Sequence, residues 1–239
     1  MINYTTLNEQ ELDKPIYRIF SIDYLLELFS TNELTLVKPK LWDDPFENLL
    51  INTLVENDIT FANSYRQNIF AQCWTLHRET DAMWRIYSQN KDGIKIKTTP
   101  RKLLFAILKS DTNIQFDMRR SCFIGKVQYI NKNDILEELK IKSNSLYDNS
   151  GKAISLLIKR IEFRHEKEVR IIFLDQEIEN NSDTKKIKIN SFDLFEEVVF
   201  DPRLSELKYI ALSNYIKFVG YKGKISKSQL YNVPKISYR

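Results

Sequence analysis

Five glycines in 239 residues (Gly93, Gly125, Gly151, Gly220 and Gly223) constrain this chain more than any other feature. A backbone loop that cradles pyrophosphate needs glycine where the main chain must approach its ligand closely. None of the five stands in a G-x-G-x-x-G or G-x-x-x-x-G-K-[ST] arrangement. A P-loop nucleotidase and an ordinary dinucleotide-binding βαβ unit are therefore excluded.

The apolar pattern divides the chain into short strands and helices. After a polar arm over 1–15, "PIYRIF" reads as a strand and "SIDYLLELFSTNE" as a helix capped by Ser21, with Tyr24, Leu25, Leu28 and Phe29 on one face. "LTLVKP" is a second strand, "KLWDDPFEN" a turn, and a helical stretch follows through residue 68. "IFAQCWTLHR" is apolar on both faces and reads as a central strand. "TDAMWRIYSQ" is a helix capped at Thr80 or Asp81, and "GIKIKT" alternates like a half-exposed strand. "PRKLLFAILKS" is a helix opened by Pro100, "SCFIGKVQYI" a strand, and "NKNDILEELK" and "NSGKAISLLIKRIEF" are helices. "EVRIIFLD", "IKIN", "FEEVVFDP" and "KISKSQLY" complete the strands, with "RLSELKYIALSNYI" a late helix. Residues 16–239 read as a single α+β domain with a mostly antiparallel central sheet and several helices.

Composition narrows the function classes. At 43% hydrophobic the chain can bury a core, and no apolar run nears the ~20 residues of a membrane span. The polar start carries no signal-peptide pattern, so the expected location is cytoplasmic. A net charge of +4 names no partner. Cys73 and Cys122 lie in apolar strands, where reduced, buried thiols are the rule. Two Cys and two His without C-x-x-C or H-x-x-x-H spacing argue against zinc. Neither His77 nor His165 has a Ser or Cys partner in view, which argues against a Ser-His or Cys-His nucleophile.

Several short motifs follow one another in a specific order. Tyr17-Arg18 opens the first strand, then come Asp43-Asp44-Pro45-Phe46-Glu47, "QCWTL" and "MWRIYSQNKDGIKI". Val127 and Tyr129, the E-K-E-x-R run from Glu166 to Arg170, "VVFDPR" and "KSQLY" follow. This series resembles the bacterial family known as domain of unknown function 2971, over about residues 16 to 231. Asp43 stands where that family usually has Asn, and "FDPR" where a glycine more often precedes the proline.

The strand order is also similar to that of ADP-ribosyltransferases, whose sheet is split. That resemblance implies NAD as substrate and no metal. Arg18 would hold a phosphate or ribose, and Thr75 would stand at the hydroxyl position. Glu168 would stabilise an oxocarbenium-like transition state, and Glu166 would orient the acceptor, a nucleic acid or a protein. A role in bacterial defence or as a toxin is implied in the same way. The expected cleft adds Tyr17, Asp44, Glu47, Trp84, Tyr87 and Arg170, with Trp84 or Tyr87 stacking on a ring. A cationic glycosyl transition state gains from a fixed carboxylate, and a bidentate arginine suits pyrophosphate.

Each of these residues also has a plainer reading. Glu166, Glu168 and Arg170 alternate like a salt-bridged strand edge, where an exposed pair is worth ~0.2–1 kcal/mol. Arg18 could close a core ion pair, the D-P-F-E turn could anchor a buried Phe, and Trp84 and Tyr87 could be core packing. As an extended segment, Glu166-x-Glu168 would set its carboxylates ~7 Å apart on one side. The lysines of "GIKIKT", "KKIKI" and "KGKISKSQ" could instead form a stripe following a phosphate backbone, which makes a nucleic-acid- or protein-binding module the alternative.

Overall fold

β3 (Ile69–Thr75), buried along almost its whole length, is the strand on which the sheet is built. Along one edge it pairs antiparallel with β8 (Glu168–Leu174), from Ile69↔Leu174 to Thr75↔Glu168. Two strands share its other edge: β2 (Glu33–Val37) meets it at Val37↔Ala71, and β1 (Ile16–Ser21) at Tyr17↔Thr75. The computed structural model describes residues 3–48, 68–110, 121–135, 137, 148–175 and 182–234. The helix expected through residue 68 lies largely outside them, as do most of the segment after residue 135 and the loop over 176–181.

From β1 the sheet runs outward through β4 (Gly93–Thr98) and β10 (Glu197–Phe200) to β11 (Lys224–Lys227). Beyond β2 lies β9 (Thr184–Lys188), and beyond β8 lies β5 (Cys122–Lys126). Among its described strands only β10 and β11 pair parallel, so the sheet is mostly antiparallel. A separate parallel pair joins β6 (Gln128–Ile130) to β7 (Ile158–Arg160).

Strand alternation makes two cores. Val169, Ile171 and Phe173 face the larger one with Phe70, Trp74 and Ile96. Helices α1 (Ile22–Thr31) and α3 (Pro100–Leu108) cover that side, supplying Leu25, Phe29, Leu103 and Ile107. Ile172 and Leu174 face the second core with Ile69, Ala71 and Phe123, under Ala153 of α4 (Asn149–Ser155). Each fully buried Ile or Leu contributes ~1.5–3 kcal/mol relative to exposure. α2 (Asp81–Tyr87) lies over β1 through Met83 and Trp84, which pack on Ile19, and Thr80 caps it by accepting from Met83 N at 3.2 Å. α5 (Ser191–Leu194) and α6 (Glu206–Phe218) complete the helices used here. No helix among the described residues is long and apolar enough to cross a membrane.

Three segments differ from the pattern reading. "SCFIGKVQYI" divides at Val127, whose N–H turns to the Glu168 carbonyl, so β5 and β6 join different sheets. "NSGKAISLLIKRIEF" is helical only to Ser155; Leu156 and Leu157 are buried, the chain then extends as β7, and a 3-10 turn covers Ile161–Glu166. Lys95, expected on an exposed face, is buried: its ammonium lies over Tyr17 and Trp84 and donates to the Arg78 carbonyl. The N-terminal arm is polar in composition yet docked. Tyr4 bridges Ile124 of β5, and Leu12 is buried in the larger core.

Candidate functional site

The sheet opens at the fork where β1 and β2 divide the edge of β3. β1 and β3 share one register pair, Tyr17↔Thr75. Beyond it the strands part, and a hollow of about 100 Å³ is lined by Tyr17, Arg18 and Ile19 of β1, Cys73 and Thr75 of β3, Tyr87 of α2, and Glu166 and Glu168. An engineered cavity of ~150 Å³ holds benzene, so this smaller hollow takes no more than a single ring.

The two acids reach it by a turn, not along one strand. Glu166 ends the 3-10 turn, and Lys167 adopts a left-handed conformation (φ 43°, ψ 56°) before β8 begins. The expected ~7 Å extended spacing is therefore corrected: both carboxylates converge on Lys159 of β7, at 2.5 Å from Glu166 and 2.6 Å from Glu168. Lys159 also binds Glu47 at 3.0 Å. Arg170 holds Glu168 at 2.7 Å and Glu47 at 3.1 Å. All five side chains are buried. This is an interior network, and surface-pair energetics do not describe it.

Neighbouring groups fix the backbone around the acids. The Thr75 hydroxyl donates to the Glu166 carbonyl at 2.6 Å and accepts from His77 N at 3.1 Å. The Tyr129 hydroxyl accepts from Glu168 N at 2.8 Å, and the Tyr87 hydroxyl donates to Glu166 Oε1 at 3.4 Å. Thr75 lines the hollow, but its hydroxyl is spent on positioning Glu166.

The environment drives the two acids apart. Burial pushes Glu166 up to about 7, helped by its hydrogen bond to Glu168 and opposed by Lys159. Burial would raise Glu168 too, but the Arg170 charge, hydrogen bonds from Glu166 and Arg170, and Lys159 hold it well below the usual carboxylate range. Such a separation assigns proton exchange to one acid and permanent charge to the other. Burial lowers Arg18, with weak opposition from Cys73 and Tyr87. Arg18 forms no ion pair among the described residues; its guanidinium lies 5.3 Å from the Phe20 ring centre. Burial raises the Cys73 thiol, leaving it a poor nucleophile.

The other expected residues divide between this site and its frame. Tyr17 and Tyr87 line the hollow. Asp44 does not: it pairs with Arg160 at 3.0 Å and accepts from Phe46 N, which closes the D-P-F-E turn. Glu47, from the same turn, joins the acid network. Arg170 lies behind the acids, fully buried under the Trp42 ring at 4.3 Å. Trp84 presents no open face for stacking: it is 0% exposed, and its indole N–H donates to Glu79 at 2.8 Å. The sequence reading missed Lys159, Arg160 and Tyr129. The first two were assigned to a helix, and their only signal was the run "LIKRI", which suits a strand as well as a helix.

The lysine-bearing strands do not form a stripe. β9 and β11 end opposite edges of the sheet, and β10 separates β4 from β11. Lysines of these strands are paired: Lys97 with Glu196, Lys186 with Glu27, Lys188 with Glu33, and Lys224 with Glu197. A separate open cleft of about 740 Å³ is lined by His77, Lys126, Tyr129, Arg164, His165 and Lys167, with Leu76 and Val127. Among the described residues, no group of three or more His, Cys, Asp or Glu is placed to hold a metal ion.

Comparison with known proteins adds a family match and distant structural likenesses. A comparison with curated protein sequences finds no match. Thermus sp. 2.9 DarT in complex with ADP-ribosylated ssDNA is similar at a TM-score of 0.42 and 10% identity, over 94% of this chain and 97% of that one. The same protein in complex with carba-NAD+ gives 0.41 and 10%, over 93% and 98%. With NAD+ it gives 0.40 and 11%, over 94% and 98%. At these scores nothing about activity follows. Residues 83–171 match the family described as Protein of unknown function (DUF2971), which confirms over that segment the resemblance carried by "MWRIYSQNKDGIKI", Val127, Tyr129 and E-K-E-x-R.

Proposed function

We propose that this protein cleaves NAD at its nicotinamide–ribose bond and passes ADP-ribose to an acceptor or to water. One observation carries the reading: an arginine without an acid partner and a buried carboxylate pair of divided protonation line the same one-ring hollow. A half-buried guanidinium without a counter-charge is left partly uncompensated, and an anionic ligand group would satisfy it. The hollow has room for no more than the nicotinamide ring, so most of the dinucleotide lies outside it.

The chemistry follows from the two acids. The C1′–N bond breaks, and its electron pair goes to the pyridinium nitrogen, so neutral nicotinamide leaves without needing a proton. Positive charge develops on the ribose, where Glu168, held ionised, stabilises it. An acceptor O–H or N–H then bonds to C1′, and Glu166 in its basic form takes the released proton. Tyr87 provides an aromatic wall beside Glu166. A bacterial defence or toxin-like setting belongs to this proposal through the family resemblance alone.

The test is release of nicotinamide from NAD by the full chain beside Glu168→Gln. Wild type is expected to turn over, and the variant to lose ~10²–10³-fold. Equal inertness of both proteins across a broad set of acceptors would sink the enzymatic reading.

The alternative, a non-catalytic binding module, draws support from the open cleft, whose lining holds Lys126, Arg164 and Lys167 and no carboxylate. It predicts oligonucleotide binding that weakens steeply with salt and ignores Glu168→Gln. Salt-independent binding, or none, counts against it.

A further inference from the structure

Glu47, Glu166 and Glu168 surround one ammonium, Lys159 Nζ, at 3.0, 2.5 and 2.6 Å. Arg170 is the second cation of this network and touches Glu47 and Glu168 but not Glu166. Among the described residues, three acids in contact with two bases leave one uncompensated negative charge when all are ionised. Inside a protein that charge is costly, and one bound proton removes it. Glu166 is the acid placed to hold it, because it alone of the three makes no contact with Arg170. The other ionisable groups around the network are Tyr87 from α2, Tyr129 from β6, Cys73 from β3 and Arg18 from β1, which lines the same hollow but forms no ion pair with the three acids. Burial keeps the first three protonated.

We infer that Lys159 is a positioning residue whose charge sets the proton count of this acid network at one, so that Glu168 stays a carboxylate while Glu166 exchanges the proton. Its catalytic meaning rests on the proposed glycosyl transfer; the proton count does not. Removing the ammonium leaves three acids facing Arg170 alone. A second proton is then drawn in near neutral pH, and Glu168 shares it. The placement of β7 supports this assignment: its pairing with β6 and the Asp44–Arg160 ion pair beside it hold Lys159 between the D-P-F-E turn and the acids.

The experiment is a carboxyl titration by NMR of glutamate-labelled full-length protein, run with the pH dependence of nicotinamide release. Wild type is compared with Lys159→Met, Lys159→Arg and the double variant Lys159→Met/Glu47→Gln. The double variant removes one cation and one acid, so it keeps the wild-type charge balance. One network carboxyl titrating near neutrality is expected in wild type, Lys159→Arg and the double variant, and two in Lys159→Met. Release at neutral pH is expected to fall ~100-fold in Lys159→Met, with its pH limb moved to higher pH. It is expected to recover about tenfold or more in the double variant. A merely structural lysine predicts the opposite order, with the double variant the worse of the two. The inference is overturned if Lys159→Met keeps one titrating carboxyl, or if the double variant shows two. Should Lys159→Met fail to fold, the titrations of the double variant and Lys159→Arg decide. Should wild type release no nicotinamide, the proposed function falls and the proton count still decides this inference.

Discussion

Tyr17 and Thr75 form the single register pair joining β1 to β3, and the parting of the strands beyond it makes the hollow. The opening exists because β2 has taken the other half of the same β3 edge at Val37↔Ala71. One strand that serves two partners thus sets Arg18 and Glu168, 150 positions apart in sequence, around one space.

Arg18 is expected to be a liability for stability and an asset for binding. It is half-buried and has no acid partner among the described residues. Arg18→Met is expected to leave the melting temperature unchanged or higher while raising the NAD KM at least tenfold, as functional sites trade stability for activity. A drop in melting temperature without a change in KM would mark Arg18 as a structural group.

Rate and stability are expected to respond oppositely to pH through Glu166. Its folded-state value of about 7 lies above the ordinary 4.5, so the native state binds the extra proton between the two. The resulting stabilisation is fully present below 4.5 and is lost as pH rises through 7. Base catalysis, in contrast, gains as Glu166 ionises. Urea titrations across this range should show the decline in wild type and not in Glu166→Gln. Glu168 has the other sign: its folded value is depressed, so its contribution is present above 4.5 and fades below it as the pH falls.

Tyr87 and Trp84, three apart on α2, should separate activity from stability. Tyr87→Phe removes a donor to the ionised form of Glu166 and is expected to move the pH limb of the rate upward with little loss of stability. Trp84→Ala opens a cavity among Ile19, Met83 and Lys95 and is expected to cost ~3–5 kcal/mol in chemical denaturation.

Asp44→Ala should act on the frame alone. It strands Arg160, whose guanidinium is also stacked 4.5 Å from the Phe46 ring centre, and frees the Phe46 N–H. A loss of ~1–3 kcal/mol is expected from denaturant midpoints. Nicotinamide release per folded molecule should change less than in Glu168→Gln.

The sequence was most legible where one local rule acted alone. The Thr80 cap, the Pro100 helix start and the doubly apolar β3 each follow from a few neighbouring residues. Arg18, Thr75, Tyr87, Glu166 and Glu168 were brought together by motif order, since no local pattern reports a fork in a sheet. Lys159 escaped because Ile and Leu around a Lys-Arg pair suit helix and strand alike. What chose the strand was parallel pairing with β6, a contact between residues 30 apart, Gln128↔Ile158. The burial of Lys95 likewise depends on Tyr17, far away in the chain, while the alternation of "GIKIKT" argued for a half-exposed strand.

The docked N-terminal arm has a consequence for how these molecules avoid one another. The outer rim of β5 offers the carbonyls of Cys122, Ile124 and Lys126, which a neighbouring chain could extend into a continuous ribbon. Asn3, Thr5 and Thr6 occupy all three from within the same molecule. Peeling back the N-terminal arm would therefore convert a capped border into a template for self-association at the far side of β8 from the fork.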